Sequence, residues 1–128
     1  MALGLSQFTP GTAAWIAKVY PAQLGEAAPL DPAWAIRALV YYDHRLYNQV
    51  PSFQAGTERW AAALSAYNGG LGWVLRDVKS ATGCNTTMWF GCVEDVVDAR
   101  LPSNLKQNRD YPQRILKLYK PMYDAARW

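Results

Sequence analysis

Residues 57–72 read Thr57-Glu58-Arg59-Trp60-Ala61-Ala62-Ala63-Leu64-Ser65-Ala66-Tyr67-Asn68-Gly69-Gly70-Leu71-Gly72, and this stretch decides the fold class. Thr57 is a capping hydroxyl, and Glu58, Trp60, Ala61, Leu64 and Tyr67 follow it at helical spacing. Asn68, Gly69 and Gly70 then end the helix, because two successive glycines favour turn conformations over a helix interior. A further helix follows over about residues 71–81 and stops at Gly83. The break lets two helix ends pass close together and exposes Tyr67 and Asn68 at a helix C-terminus.

Upstream, Thr9 and Pro10 form a helix start, with Ala13, Ala14, Ile16, Ala17 and Tyr20 recurring at helical spacing, so a helix is expected over about residues 10–20. Residues 21–30, with Gly25 and Pro29, read as a loop. Asp31 and Pro32 repeat the start signal, and Trp34, Ala35, Ala38, Leu39, Tyr42 and Leu46 make one apolar face of a helix that stops near Asn48. Downstream, residues 84–107 carry no sustained period and read as loop with a short helical turn. Asn108 is expected to cap a last helix with Pro112 in its first turn. Ile115, Leu116, Tyr119, Met122 and Tyr123 would face inward, with a bend or break near Pro121. No run alternates with β-branched enrichment. The fold expected is one mainly α domain over residues 1–128, of about five or six helices.

Composition agrees. The chain has 128 residues, 51% hydrophobic and 18% charged, which suits one globular core rather than a disordered or fibrous chain. The net charge of +3 is mild, and its Lys and Arg residues are scattered, which leaves no footprint for tight nucleic-acid binding. No stretch approaches the roughly 20 apolar residues of a membrane span, and no signal peptide is visible.

Metal and nucleophile chemistry finds little support. The single histidine, His44, has no partner at ligand spacing and reads as a partly exposed helix residue; Cys84 and Cys92 are too few for a zinc site. No metal and no cofactor are expected. The two cysteines enclose residues 85–91 and would form a local disulfide in an oxidising compartment, or remain two thiols in a reducing one. Asn85, Thr86 and Thr87 match a glycosylation sequon that arises often by chance. Gly69, Gly70 and Gly72 lie between helices rather than after a strand, so they are no nucleotide-binding loop. Tyr67 and Asn68 are the chemistry-bearing pair: an aromatic ring stacks on the apolar face of a sugar, and an amide hydrogen-bonds its hydroxyls. Core packing is the alternative for Tyr67 alone.

Three motifs carry a resemblance. Gly4, Leu5, Ser6 and Gln7, followed by Pro10, Gly11, Thr12 and Ala13, resemble the Gly-Leu-Met-Gln and Pro-Gly/Ala-Thr-Ala segment of the soluble lytic transglycosylase family. Ala66, Tyr67, Asn68, Gly69, Gly70 and Gly72 resemble its Ala-Tyr-Asn-Ala-Gly-x-Gly motif, with glycine at 69 where alanine is usual. Asn108, Arg109, Asp110 and Tyr111 resemble its late Thr-Arg-x-Tyr motif. Residues 88–91 and 121–128 look more like the phage endolysin members than the cellular enzymes.

The resemblance implies a goose-type-lysozyme-like helical fold. It also implies cleavage of the β-1,4 bond between N-acetylmuramic acid and N-acetylglucosamine in peptidoglycan, the muramyl C6 hydroxyl attacking to leave a 1,6-anhydro end. Such an enzyme uses one Glu as acid and then base, unlike the two-carboxylate pattern of ordinary glycosidases. By the same resemblance, Gln7 and Ser6 line the substrate cleft, Ser6 standing where methionine is usual. Tyr67 and Asn68 contact the sugar near the scissile bond, and Tyr111 supports the catalytic carboxylate through its hydroxyl.

The family's catalytic Glu-Ser pair lies upstream of the Gly-Leu-Met-Gln segment, and only Met1, Ala2 and Leu3 precede Gly4 here. None of Glu26, Glu58 and Glu94 matches it; Glu58, in a first helical turn, suits the positive end of the helix dipole. The domain is therefore expected to lack its first helix and its acid, a transglycosylase domain of phage or prophage lysin type that is inactive in this form. The alternatives are a non-catalytic peptidoglycan-binding or phage structural protein derived from that fold, and an active enzyme using one of the three glutamates. Apolar surface at Trp15 and Leu64 would be uncovered, for a partner chain or missing segment to complete. Peptidoglycan glycan strands are the expected partner. Synthesis in a bacterial cytoplasm is expected, with action at the periplasm and cell wall or carriage in a phage particle.

Overall fold

The structure, a computed structural model, describes residues 8–121. Among these the architecture is helical: α1 (Pro10–Val19), α2 (Pro21–Leu24), α3 (Pro32–Asn48), α4 (Thr57–Gly69), α5 (Leu71–Ser80) and α6 (Pro102–Gln113), with a 3-10 turn at Val93–Asp95 and a π-helical continuation of α6 at Arg114–Tyr119. The chain divides into two compact units, Met1–Arg45 and Leu46–Trp128.

In the first unit, Thr9 caps α1, its side chain accepting from the Thr12 N–H at 3.2 Å, and Pro10 takes the first helical position where its missing N–H costs nothing. Residues 21–24 form one helical turn rather than the expected loop. Pro21 opens it and Gly25, at φ 62°, closes it. Four residues are too few to leave a periodic signature in a sequence. The Trp34 indole N–H donates to the Leu24 carbonyl at 2.9 Å, and Tyr20 meets Tyr41 with ring centroids 5.0 Å apart. Trp15 is 43% exposed, with the Arg45 guanidinium 5.4 Å from its ring.

In the second unit, α4 is the central element and packs against α5 and α6. Ala61, Ala62, Ala63, Leu64, Ser65 and Ala66 are all buried, as a helix without a wet face must be. Leu64, expected to be uncovered, is only 8% exposed. Thr57 is the first helical residue rather than the cap, which is Gly56, with its N–H held by the Tyr47 hydroxyl at 3.0 Å. Trp89 is fully buried against Phe53, ring centroids 6.1 Å apart, with the Arg109 guanidinium 5.2 Å from its own ring. Burying such a side chain contributes about 1.5–3 kcal/mol.

The largest departure from the sequence reading is at α6. It starts at Pro102, six residues before the expected cap, so Asn108 stands inside the helix and Pro112 near its end. Pro102 supplies the same start signal that Pro10 and Pro32 supply elsewhere. Pro112 has no N–H for the preceding turn, and the helix widens to π geometry from Arg114 onward. Met122 and Tyr123 lie outside the described residues.

Candidate functional site

Helix α4 ends at Gly69, and Gly70, at φ 104°, turns the chain into α5 while its N–H donates to the Ala66 carbonyl at 2.7 Å. A left-handed φ of that size is open to glycine and costly to other residues. This exit leaves Asn68 exposed and Tyr67 half-buried in the last turn of α4. Tyr111, half-buried on α6, lies alongside: the two phenol rings are 15° from parallel with centroids 6.4 Å apart. The structure thus brings together Tyr67, Asn68 and Tyr111, three of the residues singled out from sequence. Ser6 and Gln7 lie outside the described residues.

Beneath them is a polar node the sequence reading missed. Asn108 is 1% exposed. Its Nδ2 donates to the Ser65 carbonyl at 2.9 Å and to the Asn68 Oδ1 at 3.1 Å, while its Oδ1 accepts from the Ser65 hydroxyl at 2.7 Å and from an Arg109 nitrogen at 3.1 Å. Its position three residues before Tyr111, on the same helical face, was the signal available. A β-carbon on Gly69 would lie 2.8 Å from the Asn108 Nδ2 and 2.9 Å from an Arg100 nitrogen. The glycine here, in place of the usual alanine, makes room for those two side chains.

Arg109 and Arg100 converge on Asp77, itself 1% exposed, at 2.8 and 3.1 Å; Arg100 also pairs with Asp98 at 2.6 Å. Burial pushes the Asp77 carboxyl up, against the opposing pull of Arg109. Burial acts on Asp98 the same way, but the side-chain and backbone bonds from Arg100 prevail and bring it down to about 2. The Asp77–Arg109 pair ties α5 to α6.

Two of the three glutamates are engaged elsewhere. Glu58, in the first turn of α4, accepts the Phe90 N–H at 3.0 Å; Glu94 accepts the Gly91 N–H at 2.7 Å and the Gln113 amide at 2.9 Å. Glu26 is exposed between α2 and α3. Asp43, on α3, has a buried Oδ1 with no hydrogen-bond partner among the described residues. Burial pushes it up to about 7. It stands four residues after Leu39 and three before Leu46, a spacing on the apolar side of α3 that was the signal available in the sequence and was missed. His44 is exposed.

Cys84 and Cys92 form a disulfide with Cα atoms 5.6 Å apart. Two surface grooves, of about 460 and 390 Å³, flank residues 95–97, and neither is lined by Tyr67, Asn68 or Tyr111. Among the described residues there is no metal-ligating cluster of three or more His, Cys, Asp or Glu, and no helix long and apolar enough to cross a membrane.

The profile of the transglycosylase SLT domain matches residues 1–90, which include Tyr67 and Asn68 and stop short of Tyr111. Neither a curated protein nor a solved structure matches the chain. With the match covering more than half of the sequence, the chain belongs to the transglycosylase SLT domain family.

Proposed function

We propose that this chain binds the glycan strands of peptidoglycan through Tyr67, Asn68 and Tyr111. The fitting reaction is lytic cleavage of the N-acetylmuramic acid to N-acetylglucosamine β-1,4 bond, with a 1,6-anhydromuramic acid product. The observation that carries the reading is the near-parallel tyrosine pair beside an exposed carboxamide at the glycine-ended terminus of α4. Aromatic faces take up the apolar faces of sugar rings, and the amide supplies direction. The setting is the bacterial cell wall, as for a phage or prophage lysin.

The proton transfer needs a carboxyl that gives up its proton to the leaving oxygen and then takes one from the C6 hydroxyl. Glu58 and Glu94 are tied to backbone N–H groups, and Glu26 is exposed. The reading gives sugar holding to this chain and proton transfer to none of the three. That same observation favours a second reading, a peptidoglycan-binding protein of this fold that does not cleave.

Incubation with purified peptidoglycan separates the two. Release of 1,6-anhydro muropeptides supports cleavage. Retention on the insoluble glycan without such products supports binding alone, and neither retention nor product contradicts both.

A further inference from the structure

We infer that Asn108 and Arg109 are positioning residues that hold the Asn68 carboxamide with its NH2 group outward. Asn68 then meets its ligand only as a donor and reads an acceptor oxygen, the acetamido carbonyl of an N-acetyl sugar. The inference rests on the glycan-binding reading above and adds to it the chemical sense of one contact.

Two of the groups around the Asn108 amide have no choice of role. A guanidinium only donates and a main-chain carbonyl only accepts. Arg109 is fixed by the Asp77 carboxylate at 2.8 Å and the Val96 carbonyl at 2.9 Å, and presents a nitrogen 3.1 Å from Asn108. On the other side of the Asn108 amide is the Ser65 carbonyl, at 2.9 Å. Turned the other way, that amide would set donor against donor at Arg109 and acceptor against acceptor at Ser65. Such conflicts are costly in a residue 1% exposed. The orientation of Asn108 is therefore dictated by its network.

Its Nδ2 in turn meets Asn68 at 3.1 Å, so the atom of Asn68 facing inward is Oδ1. The Asn68 Nδ2 donates to none of the described residues and sits on an exposed side chain. A buried chain of fixed donors and acceptors thus ends in two outward N–H bonds. Sugar hydroxyls both donate and accept, and a donor does not single them out. The acetamido carbonyl is an acceptor alone, and both sugars of the peptidoglycan repeat carry it.

The test uses the full chain labelled with 15N and the side-chain NH2 signals of Asn68 and Asn108. Without ligand, the Asn108 pair should be protected from solvent exchange and the Asn68 pair should exchange rapidly. Tetra-N-acetylchitotetraose should shift the Asn68 pair. Cellotetraose, with a hydroxyl in place of each acetamido group, should bind roughly three- to tenfold more weakly and leave that pair unmoved. Asn68→Asp, an isosteric change at an exposed position, keeps the acceptor and removes the donor, so it should erase the preference between the two probes. Asn108→Asp should turn the Asn68 amide around and erase it too, with the Asn68 pair now protected.

An Asn108 pair that exchanges as fast as that of Asn68 overturns the inference. So does an unmoved Asn68 pair when the Tyr67 and Tyr111 ring signals respond to the acetylated probe, a result that leaves the glycan-binding reading standing. Absence of any response to either probe contradicts both.

Discussion

Gly69 and Asn108 approach so closely that a β-carbon on the glycine would stand 2.8 Å from the Asn108 Nδ2. Asn108 cannot retreat, because it is buried, its Nδ2 donates to Ser65 and Asn68, and its Oδ1 accepts from the Ser65 hydroxyl. Gly69→Ala gains about 1 kcal/mol of helix propensity and loses about 1–3 kcal/mol to overpacking. The variant should be less stable in urea by about 1 kcal/mol, and the Asn108 side-chain amide signals should move. Equal or higher stability with unmoved signals would show that the site accepts a methyl group.

The buried ion pairs at Asp77 give a larger effect. Asp77 answers two guanidiniums, and its removal leaves Arg100 with Asp98 at 2.6 Å but Arg109 with no carboxylate nearer than Asp98 at 3.8 Å. Asp77→Ala should cost about 3–5 kcal/mol, the penalty for breaking a buried pair from one side. Chemical denaturation of the variant checks this, and a loss below about 1 kcal/mol would place the pairs in the class of exposed ones.

Asp43 sets a pH dependence of definite sign. Its carboxyl goes from 3.8 to about 7 on folding, because burial disfavours the charged form. The folded chain therefore binds this proton more tightly than the unfolded chain. The contribution to stability is complete below 3.8 and is lost as pH rises through about 7. Asp98 acts in the opposite sense at lower pH: its stabilisation is present above 3.8 and lost as pH falls towards about 2. Urea midpoints across the upper window should fall with rising pH in the wild type and fall less in Asp43→Asn, where only the raised Asp77 carboxyl still contributes in that sense. Matching slopes in the two proteins would remove Asp43 as the cause.

The Cys84–Cys92 disulfide closes a short loop, with a sequence separation of 8. Chain-entropy arithmetic for a loop of this size gives about 2.5 kcal/mol of stabilisation. The doubly substituted Cys84→Ser, Cys92→Ser chain should unfold at correspondingly lower denaturant and lose order first near Trp89, which lies between them in sequence. Thermal melts followed by tryptophan fluorescence read this directly, and an unchanged midpoint would contradict it.

Much of this architecture was legible because its signals are local. Thr9-Pro10, Asp31-Pro32 and the Asn68-Gly69-Gly70 triplet mark helix ends in the chain itself, and α1, α3, α4 and α5 fall within a residue or so of where those signals put them. Tyr67 and Asn68 were legible for the same reason. The start of α6 was not, since Asn108 resembles a cap when read beside Pro112. Its amide is claimed instead by Ser65 and Asn68, 43 and 40 positions away in sequence. No local pattern records such a pairing. The disulfide was open in the sequence because the redox state of two cysteines belongs to their surroundings as well as to their spacing. Asp43 drew no notice in the sequence, because only the folded packing shows its Oδ1 buried without a hydrogen-bond partner among the described residues.

The central claim is that the surface made by Tyr67, Asn68 and Tyr111 holds peptidoglycan glycan. Co-sedimentation with purified peptidoglycan, comparing the wild-type chain with the doubly substituted Tyr67→Ala, Asn68→Ala chain, tests it most directly. Circular dichroism would establish that both are folded. The account predicts that the wild type partitions onto the glycan and that the variant loses at least about tenfold in affinity, the sum of one lost aromatic contact and one lost hydrogen bond. Equal partitioning of the two folded proteins, or no binding by the wild type, would contradict it.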